Sequence, residues 1–175
     1  MSETRTLERW HAAADAASAR RAIAVATLFG AQVLHSFVMD DHFREWIPAG
    51  VFFLAIGMAE GIAGAGLVLY PSRRIARAAA WLSIATVSLW LVSRTIGLPF
   101  GPFFAPEAVG RADATATLFE VATAVALLPL LRMWPDGEAL RVRGSRNRMG
   151  QVAVIIVIVA ALTVFATLVP SRAHG

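Results

Sequence analysis

The sequence contains no cysteine and no lysine, and tyrosine occurs once. Without cysteine the chain can form no disulfide, thiolate metal site, Fe–S cluster or covalently attached c-type haem. Without lysine it can form no Schiff base with a carbonyl substrate. Charged residues make up only 16% of the chain, and all 16 positive charges are arginines. Any site chemistry must therefore come mainly from histidine, methionine, carboxylates and arginine.

Apolar residues are abundant: they make up 57% of the 175 residues, and the mean hydropathy is +0.62. This composition is atypical of a soluble domain and indicates a membrane protein. Five apolar stretches each approach the ~20 residues needed to cross ~30 Å of hydrocarbon. They cover residues 22–39, 51–70, 77–98, 114–131 and 151–169. The sequence predicts an all-α membrane bundle of five transmembrane helices.

Proline and glycine separate these stretches, for example at Pro48-Ala49-Gly50, Pro71-Ser72 and Pro135-Asp136-Gly137. Such residues favour turns. No internal repeat is evident, so residues 1–175 are predicted to form a single membrane domain. The polar segment 1–21, which carries Leu7 and Trp10, is interpreted as cytoplasmic and as a candidate interfacial helix.

The arginines alternate along the chain and predict an orientation. The arginine-rich segments precede the first span, join the second to the third and join the fourth to the fifth, whereas the other loops and the tail carry one arginine each. Short arginine-rich loops stay in the cytoplasm, so the N-terminus is predicted inside and the C-terminus outside a prokaryotic cytoplasmic membrane. Arginines beside spans also argue against nucleic-acid binding. The expected partners are the lipid bilayer and either other membrane subunits or a second copy of the chain.

Ionisable residues inside predicted spans are costly, so each is a candidate functional group. Four occur: His35, Glu60, Arg94 and Glu120. At 1.5 Å per residue all four fall between the midplane and the outer surface, where Asp113 also lies. We predict a supporting polar cluster of Glu60, Arg94, Asp113 and Glu120, in which Arg94 and Glu120 form a structural ion pair.

Candidate metal ligands recur at helical spacing near the end of the first span. His35, Met39 and His42 share one helix face if the helix continues, and Glu45 follows His42 by three residues. Imidazole, carboxylate and thioether groups suit copper or iron, and these four residues are the predicted metal site. Because His35 and His42 are ~10 Å apart on a straight helix, one ion would need a bend or ligands from another helix. Glu60, Glu120 or Asp113 could supply such ligands.

Two further stretches have structural predictions. Glycines of the second span, Gly57, Gly61, Gly64 and Gly66, form a small-residue face that lets helices approach closely. Residues 93–102 end the third span with several prolines and glycines, which predict a rigid loop over the polar cluster. Two-histidine haem ligation is excluded, because only the first span carries histidines and the other two lie near the termini.

The chain resembles small multi-span prokaryotic membrane proteins that are frequent in actinobacteria. The resemblance rests on His35 with His42-Phe43-x-Glu45, on Ser93-Arg94-Thr95-x-Gly97-Leu98-Pro99-Phe100-Gly101-Pro102, and on Glu107 to Asp113 leading to Glu120. It covers about residues 35–120 and implies topology and site location, without an activity. Glu60 stands where such proteins are expected to carry glutamine.

Three functions fit these patterns. The first is a copper or iron site in the outer half of the bundle, for metal handling or oxidative chemistry. The second is an accessory subunit of a larger complex, packed through the glycine face and the uncharged fifth span. The third is a proton-coupled carrier of small solutes using Glu60 and Glu120, although the absence of a repeat argues against it. Neither a nucleophile elbow nor a His-Glu-x-x-His motif occurs, so enzymatic activity stays undecided.

Overall fold

A computed structural model describes residues 2–133 of the chain, with side chains from residue 12 to residue 132. Its four helices are α1 (Ser2–Glu45), α2 (Ile47–Leu69), α3 (Arg73–Thr95) and α4 (Arg111–Met133). All four contain a segment long and apolar enough to cross a membrane. The first four predicted spans are therefore confirmed as apolar helices. The predicted fifth span, 151–169, lies outside the described residues.

Helix α1 is much longer than the predicted span 22–39. It runs without interruption through 44 residues, because it contains no proline and a single glycine, Gly30. Residues 2–21 are continuous with it, and their predicted location at the inner membrane surface stays a prediction. An ion pair one turn apart, Arg44 to Asp40 at 2.7 Å, lies in its last turns. The helix ends at Trp46, whose extended backbone (φ −161°) precedes Pro48 in the first turn of α2.

The other boundaries follow from local capping. Ser72 caps α3, since its Oγ accepts a hydrogen bond from the Ile75 backbone N–H at 3.3 Å. Helix α3 ends before Gly97, whose φ of +85° is a conformation that favours glycine. Helix α4 carries Asp113 in its first turn, where a carboxylate interacts favourably with the helix dipole.

Helix α1 packs against α2 and α4, and α3 packs mainly against α4. The close approach of α1 and α2 depends on glycine: a Cβ at Gly61 would lie 2.8 Å from the Gln32 side chain, and one at Gly64 would lie 3.3 Å from Phe29. The glycine face that was predicted to receive a partner subunit is thus covered by α1 of the same chain. Gly66 instead faces Ile75 of α3.

The apolar core occupies one end of the bundle. It joins the middle of α1, the end of α2, the start of α3 and the end of α4. Its buried members are Ala24, Val25, Leu28, Leu67, Ala76, Ala79, Ala80, Ala126, Leu127 and Leu130. Small alanines let the four helices approach closely there. The polar residues and a large cavity lie toward the other end, the end of the predicted outer half.

Candidate functional site

A buried histidine and a buried glutamate meet between α1 and α2. The Nδ1 of His35 lies 2.9 Å from Oε1 and 3.0 Å from Oε2 of Glu60. His35 is 5% exposed and Glu60 is fully buried. The depth calculation placed both residues in the outer half, and the structure brings them into direct contact.

Glu120 of α4 completes this group. One ligand atom from each of His35, Glu60 and Glu120 lies within 4.8 Å of the others. Glu120 is 1% exposed, and neither of its carboxylate oxygens has a hydrogen-bond partner among the described residues. A buried carboxyl group without a partner is costly, so this oxygen pair is available to bind a cation or a proton. We call these three residues the His–Glu–Glu cluster.

All four helices contribute a buried polar residue at the level of the His–Glu–Glu cluster, which is near the middle of α2, α3 and α4. The α3 member is Ser83, which is fully buried and lies next to Glu120. Sequence reasoning missed Ser83, although a small polar residue within an otherwise apolar helix was a usable signal. One turn toward the core, the hydroxyl groups of Thr27 and Thr123 are 2.6 Å apart and join α1 to α4.

Arg94 belongs to a second polar group, at the outer end of α3. Its guanidinium donates to Glu107 in the α3–α4 loop and to Asp113 of α4, the latter at 2.5 Å, and also to Ser93 at 3.1 Å. The predicted ion pair between Arg94 and Glu120 is therefore wrong. The loop folds back so that the Glu107 backbone N–H donates to the Ser93 carbonyl at 3.2 Å, which places the carboxylate beside the guanidinium.

The remaining predicted ligands lie apart from the His–Glu–Glu cluster. His42 does share the continuing helix with His35, but its ring stacks on Phe53 with centroids 4.1 Å apart. Its Nδ1 is 3.5 Å from Glu45, whose side chain is half exposed. Met39 is half-buried. Among the described histidines and acidic residues, the structure does not bring His42 or Glu45 into a group of three ligands with His35.

A cavity of about 330 Å³ separates the two polar groups. Each of the four helices and the α3–α4 loop lines it. His35 and His42 lie on one side, and Arg94, Glu107 and Asp113 lie on another. Its volume is at the lower end of the range typical of small-molecule sites. Because His35 belongs both to the lining and to the His–Glu–Glu cluster, the cavity gives access to that cluster.

The proline-rich loop closes the outer end of this cavity. The Leu98 N–H donates to the Phe103 carbonyl at 2.6 Å, and Phe103 is only 8% exposed. The rings of Phe100 and Phe103 pack against Trp46 with centroids 6.1 and 5.8 Å away. At Gly101, which also has positive φ, a Cβ would lie 3.0 Å from the Trp46 ring. The loop thus lines the cavity on the side of Arg94 and Asp113.

These helices indicate a membrane protein: the described part of the chain is helical with apolar segments, and it encloses ionisable groups. Comparison with protein families, with curated proteins and with solved structures found no match. Function must therefore be argued from the cluster and the cavity.

Proposed function

We propose that the chain is a multi-pass membrane protein that binds a divalent transition-metal ion at the His–Glu–Glu cluster, for metal handling or for oxidative chemistry in the adjoining cavity. The observation that carries this proposal is the convergence of His35, Glu60 and Glu120, from three helices, on one buried point. The unpartnered oxygens of Glu120 support it, because a cation would compensate for their burial.

The donor set narrows the choice of ion. One imidazole and two carboxylates favour Fe²⁺, Mn²⁺ or Zn²⁺, whereas Cu⁺ prefers thioether and thiolate ligands. The cluster brings together imidazole and carboxylate donors, from His35, Glu60 and Glu120. Of the two metals that the sequence suggested, this donor set fits iron, and it fits copper only as Cu²⁺.

The three donor atoms of the cluster would have to move closer together to bind one ion. Donors bound to one ion at ~2.0–2.2 Å stand roughly 3–4 Å apart, and the cluster atoms lie within 4.8 Å of one another. A movement of about 1 Å, within reach of glutamate rotamers, would bring the three donors to an ion. When a histidine binds a metal through one ring nitrogen, the other ring nitrogen usually makes a hydrogen bond that fixes the orientation of the ring.

The test is elemental analysis of protein purified in detergent after loading with Fe²⁺, Mn²⁺ or Zn²⁺ and removal of excess ion. We expect about one ion per chain in the wild type, and a loss of at least 10-fold in metal affinity on His35→Ala or Glu120→Gln, as is typical when a ligand is removed. Only variants that elute from a size-exclusion column at the same volume as the wild type are compared, so that misfolded protein is excluded.

The matched controls are His42→Ala and Glu45→Gln, which remove the ligands suggested by sequence spacing but lie outside the cluster. They should retain the wild-type metal content. If these variants lose the ion while Glu120→Gln keeps it, the metal is bound by His42 and Glu45 at the end of α1 instead. If the wild type holds no more metal than His35→Ala, the metal proposal is wrong.

A proton-coupled carrier is the second candidate, favoured by the proximity of two glutamates to a histidine that lines a cavity. In this case the cluster holds a proton instead of a metal. Infrared spectra of the metal-free protein would show a protonated carboxyl band that Glu120→Gln removes and the peripheral variant Asp41→Asn leaves. If Glu120→Gln leaves that band unchanged, Glu120 carries no proton and this candidate loses its support.

We further propose five spans with the N-terminus in the cytoplasm of a prokaryotic cell. The distribution of arginine supports this orientation. The accessory-subunit function loses one of its two supports, since α1 covers the glycine face of α2.

A further inference from the structure

The cavity between the four helices has largely apolar walls that include several aromatic rings. Six aromatic side chains line it: Trp46, Phe52, Phe53, Trp90, Phe100 and Phe103. Aromatic rings bind apolar groups, and their faces also attract cations through the ring quadrupole. The walls can therefore bind an apolar ligand, including one that carries a positive charge.

The fixed charges on the wall are unequal. Among the lining residues, Arg94 is the one arginine, and the carboxylates of Glu107 and Asp113 both pair with it. One guanidinium against two carboxylates leaves one negative charge in excess. The Arg94 side chain is 12% exposed and the two acids are 31% and 22% exposed, so the group is only partly screened by water.

This arrangement discriminates between charged ligands. An anion would be repelled by the excess carboxylate, and the terminal nitrogens of Arg94 already donate to Glu107, Asp113 and Ser93. A cation is instead attracted by the excess carboxylate. His35 contacts Glu60 and His42 lies near Glu45, so a positive charge on either ring would be offset by a neighbouring carboxylate.

The lipid bilayer offers a route to this cavity. Helices α2 and α3 both line it, yet they contact each other less than the other packed helix pairs do. Both helices carry exposed apolar side chains, including Val51 on α2 and Leu91 on α3. A ligand that partitions into the membrane could enter between these helices without crossing a polar surface.

From these observations we propose that the cavity is a binding site for a lipophilic organic cation, held by the aromatic walls and by the excess carboxylate of the Glu107–Asp113 pair. This site is distinct from the metal cluster, and its occupancy does not depend on a bound metal.

The experiment compares three probes of nearly identical shape and different charge. They are methyltriphenylphosphonium, the neutral 1,1,1-triphenylethane and the anion methyltriphenylborate. Binding of each labelled probe is measured by equilibrium dialysis against the metal-free full-length protein in lipid nanodiscs, with empty nanodiscs as the partition background. We expect saturable binding of one phosphonium per chain, at least 10-fold tighter than binding of either isostere.

Variants locate the charge. Glu107→Gln keeps the Arg94–Asp113 pair but removes the excess charge, and it should weaken phosphonium binding about 10-fold, equivalent to ~1.4 kcal/mol, with the neutral isostere little changed. The matched control is Asp41→Asn. Asp41 is exposed, lies near the C-terminal end of α1 and does not line the cavity. The affinity of this variant should stay within about 2-fold of the wild type, because an exposed charge is largely screened.

The wild-type comparison alone can overturn the proposal, even if a variant fails to fold. Absence of saturable phosphonium binding would do so, as would equal or tighter binding of the neutral or anionic probe. If Asp41→Asn weakened phosphonium binding as much as Glu107→Gln, the binding would reflect a general attraction to surface charge and not the cavity. Because the protein is metal-free, none of these results depends on the metal proposal.

Discussion

Arg94 illustrates how one buried charge can organise several segments. It contacts the α3–α4 loop through Glu107 and the first turn of α4 through Asp113. Arginine suits this role because its planar group presents several donors at fixed angles, and lysine would offer a single charged point. The ion pair therefore holds the loop that closes the cavity onto the helix that follows it.

Removing Arg94 should destabilise the fold more than removing a similar residue at the surface. Arg94→Ala leaves two partly buried carboxylates unpaired, for which we expect a loss of ~2–4 kcal/mol. Arg44→Ala breaks an ion pair whose side chains are 75% and 70% exposed, and it should cost less than ~1 kcal/mol. Unfolding of both variants in mixed detergent micelles measures the difference. Equal losses would show that the buried pair does not stabilise the loop.

The sequence predicted the depth of the ionisable residues but not all of their partners. Depth follows from counting residues along a helix, so His35, Glu60 and Glu120 were placed at similar levels. Partners depend on helix rotation and on loop paths, which periodicity does not determine. Arg94 was assigned to Glu120 for this reason, whereas the loop returns Glu107 to it.

At the scale of elements, the α1–α2 hairpin positions the site. A single residue, Trp46, joins the two helices. A connection this short fixes their register, so that His42 meets Phe53 near the turn and His35 meets Glu60 further along the same pair of helices. The predicted spans left a longer loop here, because the polar residues 40–45 suggested a helix end. Those residues instead form the final turn of α1 through local ion pairs.

Two glycines of α2 should respond differently to alanine. A Cβ at Gly50 would overlap the base of the Phe43 ring, whereas one at Gly57 would make ordinary contacts of 3.5 Å or more. Gly50→Ala should therefore cost ~1–3 kcal/mol through overpacking. Gly57→Ala should change stability by less than ~1 kcal/mol and gains helix propensity.

Thermal unfolding in one detergent, followed by circular dichroism, compares the two variants. Unfolding of Gly50→Ala at or above the wild-type temperature would show that Phe43 moves aside freely, and the hairpin would then be less tightly packed than described.

At the scale of the whole molecule, the two ends of the bundle differ in character. Alanines and leucines pack closely at one end, and the cavity with its ionisable groups occupies the other. The clustering of ionisable side chains toward one end was expected from their positions along the spans, and the assignment of that end to the outer half stays a prediction. The cavity itself was not predictable, because its walls come from four helices and a loop whose spacing the sequence pattern does not encode.

The orientation of these two ends can be tested with a reporter enzyme that is active only outside the cytoplasm. A fusion after Gly175 should be active if the chain has five spans and a cytoplasmic N-terminus. An insertion between Pro71 and Ser72, in the predicted cytoplasmic loop, should be inactive and is the control. An inactive terminal fusion with an equally inactive control would show an even number of spans.

The length of α1 has a mechanical consequence. At 1.5 Å per residue its 44 residues extend about 66 Å, more than twice the ~30 Å of membrane hydrocarbon. A helix without proline bends only gently, so a tilt imposed on the part beyond the bilayer reaches the part within it. His35 and His42 lie toward one end of this rod, and residues 2–21 form the opposite end. The uninterrupted helix therefore connects residues 2–21 mechanically to the wall of the cavity.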